Sequence, residues 1–244
     1  MIHFDPRGDV ALVTIDRPER RNAVDHEALE QLVAALDRAG ASTTTTRVMV
    51  LTGAGGHFCA GADLTGLEDA GFALALRRVL DGLRDAPFPT IAAVDGAALG
   101  AGTQLSIACD LRVATPRARF GIPAAKLGLM VDHWTVQRLA LLAGHGPARS
   151  MLLAADVVDG ETAVHLGFAQ RAGDLDVALA WADEIASLAP LTIQGHKLAL
   201  NRLEAEVGRD ADVTAAFQRA WGSADLVEGL TAFRERRSPD FKGE

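Results

Sequence analysis

The sequence predicts an α/β protein whose strands pair largely in parallel. Four apolar runs of strand length alternate with segments of helical periodicity. These runs cover residues 10–15, 48–51, 89–94 and 111–115. Strand–helix–strand order is typical of parallel pairing, because a parallel pair needs a crossover connection. Glycine-rich stretches directly follow the second and third runs, where a chain exits a strand.

The N-terminal elements follow from the spacing of apolar residues. The run at 10–15 is β-rich throughout, and Pro18 ends it. Asp25 is a plausible cap for the next helix, which stops at Gly40 and has four apolar residues on one face. Those four are Leu29, Leu32, Val33 and Leu36. The threonines at 43–46 are expected to form a loop into the next strand.

A second helix is predicted over residues 69–85, with an apolar face that leads into the third strand. Its apolar residues are Phe72, Leu76, Val79, Leu80 and Leu83. Pro87 and Pro89 mark the entry to that strand. The apolar segment at 105–109 fits either a helix or a buried strand, because periodicity alone does not separate the two.

From residue 135 onward the pattern is helical. The helical segments cover residues 135–144, 146–155, 161–169 and 175–189. Gly144, Gly160 and Gly173 separate them. Beyond about residue 190 the sequence is almost entirely helical in pattern, with charges on alternate faces.

Composition indicates an ordinary globular protein. The chain has 244 residues, of which 49% are hydrophobic and 23% charged, enough for one substantial core. A net charge of −8 argues against a nucleic-acid partner, which needs a basic surface. No apolar run approaches the length of a membrane span, and the N-terminus does not resemble a signal peptide. We therefore expect a cytoplasmic protein.

No metal or nucleotide site is predicted. Cys59 and Cys109 are expected to be small buried hydrophobes, and the histidines lack metal-ligand spacing. The glycines at 53–56 lack the ending of a phosphate-binding P-loop. Those at 100–102 lack the third glycine of a dinucleotide motif.

The two glycine-rich stretches favour a pair of backbone donors. They read LTGAGGHFCAGADL at 51–64 and VDGAALGAGTQLSIACD at 94–110. Glycine permits close backbone approach, and two strand exits can each offer one N–H group to the same oxygen. This is how an oxyanion hole is built. Ordinary tight turns are the alternative.

FCAGADL followed by VDGAALGAG resembles the paired signature of the crotonase superfamily, the enoyl-CoA hydratases and isomerases. RPERRNAV near the start and EGLTAFRERRSPDFKG at the end extend the resemblance over nearly the whole chain. It implies the crotonase (ClpP/crotonase-like) fold, with a ββα spiral core at residues 1–190. It also implies a helical region at 191–244 that covers the site, and a homotrimer or a hexamer built as a dimer of trimers.

The resemblance implies that the backbone N–H groups of Ala62 and Ala101 form the oxyanion hole for an acyl-CoA thioester. Glycine is common in the family at the second position, and alanine keeps the donor if its φ is negative. Substrate contacts are also implied for Ala60, Asp63 and Leu64. Asp63 is expected mainly to cap or brace its turn. Coenzyme A enters as part of the ligand, and no other cofactor is expected.

Coenzyme A is anionic, so its binding requires local positive charge on this acidic chain. In RPERRNAV, Arg20 and Arg21 match family positions that could face the ligand; a solvated charge cluster is the alternative. Other candidates are Arg17, Arg234, Arg236, Arg237 and Lys242.

The chain departs from the family at the two glutamates that hydratases use. Gln104 stands at the first position and Ala124 at the second. Gln104 can hydrogen-bond a water but cannot accept its proton, and Ala124 can do neither. General acid–base groups typically contribute ~10²–10⁴-fold each, so hydration should be weak or absent unless another group has taken over. Both positions are assigned by motif spacing. With a shift of one helical turn, Glu161 or another carboxylate could stand in the site instead.

Asp132, His133 and Trp134 lie where the chain returns toward the site. Asp132 coincides with the position of the nucleophilic aspartate in a crotonase-fold dehalogenase, and it could act as nucleophile or base. Alternatively it caps the helix that begins near Trp134. Trp134 is expected to shape the acyl pocket. For His133 the sequence leaves three places open: the protein surface, the core and the site.

The sequence therefore predicts a protein of fatty-acid or lipid metabolism that binds fatty acyl-CoA and hydrates it weakly or not at all. The alternative is an active hydratase, isomerase or thioester hydrolase that uses Asp132. A relic of the fold without a ligand is the third hypothesis.

Overall fold

Two sheets and a set of covering helices make up the fold. The computed structural model describes residues 1–41, 46–63, 71–205 and 211–242, without the side chains of 203–205 and 212–213. Within these ranges the strands are β1 Ile2–Arg7, β2 Val10–Ile15, β3 Val48–Gly53, β4 Thr90–Val94, β5 Ala97–Leu99, β6 Leu111–Ala114, β7 Arg119–Gly121, β8 Val158–Asp159 and β9 Arg171–Ala172.

The helices of the described ranges alternate with the strands and then fill the C-terminal part. They are α1 His26–Gly40, α2 Gly71–Asp85, α3 Ala101–Ala108, α4 His133–Ala143, α5 His145–Leu153, α6 Gly160–His165, α7 Leu175–Ala186, α8 Pro190–Ala205, α9 Ala211–Trp221 and α10 Ala224–Glu235. Two 3₁₀ turns, Pro18–Arg20 and Pro123–Leu127, complete the elements. In the described part of the chain, no helix is long and apolar enough to cross a membrane.

The main sheet has the order β1-β2-β3-β4-β6-β9, and every pair after β1–β2 is parallel. This confirms the prediction of largely parallel pairing. The smaller sheet joins β5, β7 and β8. Its strands were not expected, because a three-residue strand inside a glycine loop has no detectable periodicity.

The first two helices match their predicted apolar faces. Asp25 caps α1 by accepting a hydrogen bond from the Ala28 amide at 2.9 Å. The predicted apolar residues of α2 are all buried in the main core. The threonines at 43–45 and residues 69–70, which the predictions included, lie outside the described residues.

The ambiguous segment at 105–109 is helical up to Ala108, because it continues α3 from the glycine loop, and Cys109 is the extended residue that ends the helix. All eight residues of α3 are buried. Gly160 does not separate helices as expected: it is the first residue of α6, capped by Asp159. A Cβ there would lie 1.8 Å from the Thr115 carbonyl oxygen, so close packing explains this glycine.

The C-terminal helices pack against the body at defined points. Lys197 of α8 is buried, and its Nζ donates to Asp110 at 2.8 Å and to the Phe88 carbonyl at 2.9 Å. Trp221 of α9 donates from Nε1 to the Met130 carbonyl at 2.9 Å. A Cβ on Gly229 of α10 would lie 2.5 Å from the Leu127 carbonyl oxygen. The described residues beyond 190 are thus mostly helical, as predicted, in α8, α9 and α10; a domain boundary there stays a prediction.

Candidate functional site

A cleft of about 810 Å³ lies where the two glycine loops meet α2, the 3₁₀ turn Pro123–Leu127 and the C-terminal helices. Much of its wall is apolar. The large apolar side chains that line it include Phe72, Leu76, Leu80, Met130, Phe217, Trp221 and Phe233. Such a volume and lining are typical of a small-molecule site.

Backbone hydrogen bonds join the two glycine loops. The Cys59 amide donates to the Ala97 carbonyl at 2.8 Å, and the Leu99 amide donates to the Cys59 carbonyl at 3.0 Å. A Cβ on Gly102 would lie 2.0 Å from the Cys59 carbonyl oxygen. The N-terminal turn of α3 therefore rests directly on the first loop, at a distance that only glycine allows.

Ala62 and Ala101 line the cleft, one from each loop. Val24 forms backbone hydrogen bonds with Gly61 and Asp63, the two neighbours of Ala62, so the Ala62 amide stays unused. The Ala101 amide is the first of α3, where no carbonyl of the same helix can accept from it. Neither amide donates a hydrogen bond to any residue of the described part. Neither alanine has a positive φ, which meets the condition set for Ala101. The cleft wall thus carries two unpaired backbone donors.

Two buried arginines hold the opposite end of α3. Arg112 Nη1 donates to the carbonyls of Ser106 and Cys109 at 3.1 and 3.0 Å, and Arg138 Nε donates to that of Ile107 at 2.8 Å. Burial lowers the pKa of Arg112 to about 10. Positive charge at a helix C-terminus is favourable, so both arginines fix α3 and its N-terminal donor in place.

A chain of polar contacts runs along one side of the cleft. Gln104 is buried and donates from Nε2 to Thr135 Oγ1 at 2.9 Å. Asp132 Oδ1 accepts from the Thr135 amide at 3.0 Å, which caps α4 as one of the two predictions for this residue had it. Asp132 Oδ2 accepts from Arg77 Nη1 at 3.3 Å. Asp132 also lines the cleft, so capping and facing the site are compatible.

Arginines outnumber carboxylates in the described lining of the cleft, although the chain is acidic. The charged residues that line it are Arg20, Arg77, Arg234, Arg236, Asp63 and Asp132. Asp63 lies 3.6 Å from Arg17, and Asp132 pairs with Arg77. Each of the two carboxylates thus lies beside an arginine, and Arg20, Arg234 and Arg236 add further positive charge to the described lining.

Most of the predicted site residues meet at this cleft. Those that line it are Arg20, Ala60, Ala62, Asp63, Ala101, Gln104, Ala124 and Asp132, together with Arg234 and Arg236 from the C-terminal motif. Leu64 lies outside the described residues. Glu161 is exposed on α6 and does not line the cleft.

Arg21, His133 and Trp134 are not among the residues that line the cleft. Arg21 is exposed in a left-handed turn with φ of 50°. His133 and Trp134 are the first two residues of α4, directly after its cap Asp132. His133 contacts Gln137 at 2.9 Å, and Trp134 packs beneath Arg77.

Among the other charged candidates, Arg17 binds Asp25 and the Ala23 carbonyl. Arg237 pairs with Glu228, and Lys242 pairs with Asp240. The sequence could not show the pairings of Arg237 and Lys242, because they depend on the path of the chain after α10.

Several cleft residues were not predicted as site residues. Phe72, Leu76 and Leu80 were expected only as the core face of α2, and periodicity cannot separate a core contact from a cavity wall. Arg77 belongs to no motif or spacing that would mark it as a site residue in the sequence. Cys59 and Cys109 are buried and free, and burial raises the pKa of each thiol to about 12. Among the described residues, no group of three His, Cys, Asp or Glu could hold a metal.

Comparison with known proteins gives a consistent result. The sequence profile described as enoyl-CoA hydratase/isomerase matches residues 6–244. The chain is 44% identical to the probable enoyl-CoA hydratase echA6 of Mycobacterium tuberculosis over 249 residues, 100% of both proteins. It is 36% identical to the 2,3-dehydroadipyl-CoA hydratase of Escherichia coli, over 96% of this chain and 95% of that protein.

Solved structures agree. An enoyl-CoA hydratase/isomerase of Pseudoalteromonas atlantica superimposes with a TM-score of 0.85 at 28% identity, covering 99% of both chains. A methylmalonyl-CoA decarboxylase gives a TM-score of 0.91 at 22% identity, over 100% of this chain and 98% of the other. The second likeness concerns the fold alone.

Proposed function

Because the chain belongs to the enoyl-CoA hydratase/isomerase family of the crotonase superfamily, we propose that it binds fatty acyl-CoA thioesters and hydrates them weakly or not at all. The crotonase fold and the family membership predicted from the sequence are confirmed. The ligand and the reduced hydration are the proposal.

One observation carries the proposal: the two unpaired amides of Ala62 and Ala101 in the wall of a single cleft. A thioester carbonyl placed between them accepts two hydrogen bonds that strengthen as negative charge grows on its oxygen. A donor of this kind is typically worth about 3 kcal/mol for a developing oxyanion. In a protein without turnover, the same donors fix the position of the thioester.

The rest of the cleft suits the two ends of an acyl-CoA. Arg20, Arg234 and Arg236 provide positive charge for the phosphates of coenzyme A. The apolar walls from α2, α9 and α10 suit a hydrocarbon chain, whose burial drives binding.

Weak hydration follows from the two residues that replace the hydratase glutamates. Gln104 and Ala124 line the cleft, so neither acid–base position carries a carboxylate. Asp63 and Asp132 are the carboxylates among the lining residues of the described chain, and each lies beside an arginine. Hydration needs a base for the water and an acid for the α-carbon, which typically contribute ~10²–10⁴-fold apiece.

The alternative is an active enzyme that uses Asp132 as base or nucleophile. The position of Asp132 in the cleft wall favours this alternative. Both of its oxygens are already engaged, one by the Thr135 amide and the other by Arg77, which reduces its capacity to take a proton or attack an acyl group.

We also propose that the protein is cytoplasmic and forms a homotrimer or a dimer of trimers. Support for the assembly comes from apolar side chains exposed on and just before α8. They include Leu188, Leu191, Leu198 and Leu200, each more than half exposed. Sedimentation at several concentrations tests the assembly: a monomer throughout the range contradicts it.

Turnover and binding, measured on one sample, test the proposed function. Crotonyl-CoA and a long-chain trans-2-enoyl-CoA are followed by the ultraviolet absorbance of the conjugated thioester, and the same ligands are titrated calorimetrically. We expect binding with little or no turnover. Turnover near that of a glutamate-bearing hydratase contradicts weak hydration, and absence of binding contradicts the ligand.

A further inference from the structure

A second cavity, of about 470 Å³, lies beside the cleft. It is lined by the C-terminal end of α2, the start of α4 and α8, and it is partly open to solvent. Its wall includes Arg84, Trp134, Gln194, Lys197 and Asn201, and among the residues that the structure describes it shares none with the lining of the cleft. At one point a single pair of stacked side chains lies between the two.

Arg77 and Trp134 form that pair. Arg77 belongs to the wall of the cleft, and Trp134 belongs to the wall of the second cavity. The guanidinium carbon of Arg77 lies 4.2 Å from the centroid of the Trp134 ring. This is stacking contact, which leaves no room for another group between them.

The two members of this Arg77–Trp134 stack are held differently. Arg77 forms ion pairs with Asp132 at 3.3 Å and with Asp81, and Asp81 also binds Arg84 at 2.9 Å. The Trp134 indole nitrogen is buried and donates no hydrogen bond within the described chain. The ring is thus held by packing and stacking alone, and its replacement breaks no hydrogen bond.

We infer that the Arg77–Trp134 stack limits the length of the acyl chain that the cleft accepts. This inference rests on the proposed function. Phe72, Leu76 and Leu80 follow one another along α2 as an apolar wall, and Arg77 stands within a turn of Leu80. A chain that runs along this wall reaches a charged guanidinium backed by an indole ring.

The physical basis is the difference between apolar and charged surface. Each methylene buried against the apolar wall raises affinity about fourfold. A methylene pressed against Arg77 adds little affinity. It would take the charged guanidinium out of polar surroundings, and this desolvation costs free energy. Affinity should therefore rise with chain length and then level off, although empty space continues behind the stack.

The test is the affinity of saturated acyl-CoAs from butyryl-CoA to palmitoyl-CoA, measured by calorimetry for the wild type and for Trp134→Phe, Trp134→Leu and Trp134→Ala. We expect Trp134→Phe to keep the wild-type limit. In Trp134→Ala the Arg77 side chain loses the ring behind it and can turn into the vacated space, so palmitoyl-CoA should bind at least about tenfold more tightly than to the wild type, with butyryl-CoA affinity unchanged, since a few extra methylenes suffice for this gain. Trp134→Leu should fall between them and serves if the alanine variant does not fold.

Trp181→Ala is the matched control. Trp181 carries a similar stack, with the Arg171 guanidinium carbon 4.3 Å from its ring centroid, and lines neither cavity. Its loss should leave the whole chain-length series unchanged. If the Trp134 variants bind butyryl-CoA but keep the wild-type limit, the stack is not what limits chain length. If the wild type binds no acyl-CoA of any length, the proposed function fails and this inference fails with it.

Discussion

Gly61 and Gly100 lie against each other across the two glycine loops: a Cβ on Gly100 would be 3.9 Å from the Cα of Gly61. Both glycines have positive φ, 120° and 53°, and each directly precedes one of the unpaired amides. A Cβ on Gly61 would also lie 3.1 Å from the Leu99 carbonyl oxygen. The spacing of the two donors is therefore set by two backbones in close approach.

Gly100→Ala should separate backbone strain from steric clash. The site has room for a methyl group, but φ of 53° with ψ of −115° is disfavoured for alanine and costs about 1–3 kcal/mol. Relaxation of that strain rotates the peptide that carries the Ala101 amide. We expect lower stability in denaturant unfolding and roughly tenfold weaker acyl-CoA binding, the scale of one hydrogen bond of about 1.4 kcal/mol.

Gly8→Ala is the control, since Gly8 also has positive φ, 63°, and open space around it. It should lose stability but keep its affinity for acyl-CoA. Equal affinity in Gly100→Ala and the wild type would falsify the role assigned to the Ala101 amide.

The sequence predicted the elements whose signal extends over many residues. The α2 face from Phe72 to Leu83 repeats over three turns, and buried strands such as β2 are uniformly apolar. Caps were predictable too, because Asp25 and Asp132 precede clear helical patterns and both accept the expected amide. The glycine loops predicted where the candidate cleft lies, because close backbone contact between two loops requires glycine.

Features decided by a single residue or by distant parts of the chain could not be predicted. Whether Trp134 enters the cleft depends on where α4 begins, within one residue. Strand β5 has three residues and pairs with β7, from which α3 and β6 separate it in the chain. The choice of Arg234 and Arg236 as cleft residues, with Arg237 bound to Glu228, depends on the left-handed turn at Arg236.

Cys59 and Cys109 should not react with thiol reagents in the folded protein. Desolvation by burial raises the pKa of each thiol to about 12, so at pH 8 both stay protonated. Unfolded thiols ionise near pH 8.5, so stability should fall as pH rises above that value, where only the unfolded chain loses these protons. A colorimetric thiol assay should detect neither cysteine before denaturation and both after it. Fast labelling of the native protein contradicts the burial of these thiols.

Asp132→Asn and Asp132→Ala should separate capping from catalysis. Asparagine keeps an oxygen for the Thr135 amide, whereas alanine removes the cap and should cost about 1 kcal/mol in thermal or denaturant unfolding. On the proposed function neither change alters turnover, because Asp132 performs no chemistry. Loss of a measurable turnover in the folded asparagine variant supports the alternative enzyme instead.

The control for the cap is Asp174→Ala. Asp174 accepts hydrogen bonds from the amides of Asp176 and Val177 at the start of α7 and does not line the cleft. It should lose a similar amount of stability and bind acyl-CoA as the wild type does.

The double substitution of Gln104→Glu and Ala124→Glu should create hydration activity. Gln104 already contacts Thr135 Oγ1 at 2.9 Å, and that hydroxyl can donate to a carboxylate in the same place. Ala124 lines the cleft from the 3₁₀ turn Pro123–Leu127, so a longer side chain can extend into the cavity. With a base and an acid both present, crotonyl-CoA hydration should rise by ~10²-fold or more over the wild type, and each single variant should gain less.

Ala124→Gln with the native Gln104 is the matched control, because two amides of the same shape cannot exchange protons at neutral pH. If the control gains as much as the double variant, shape rather than acid–base chemistry limits the reaction. If the wild type is already as fast as the double variant, the proposal of weak hydration is wrong and Asp132 becomes the residue to test.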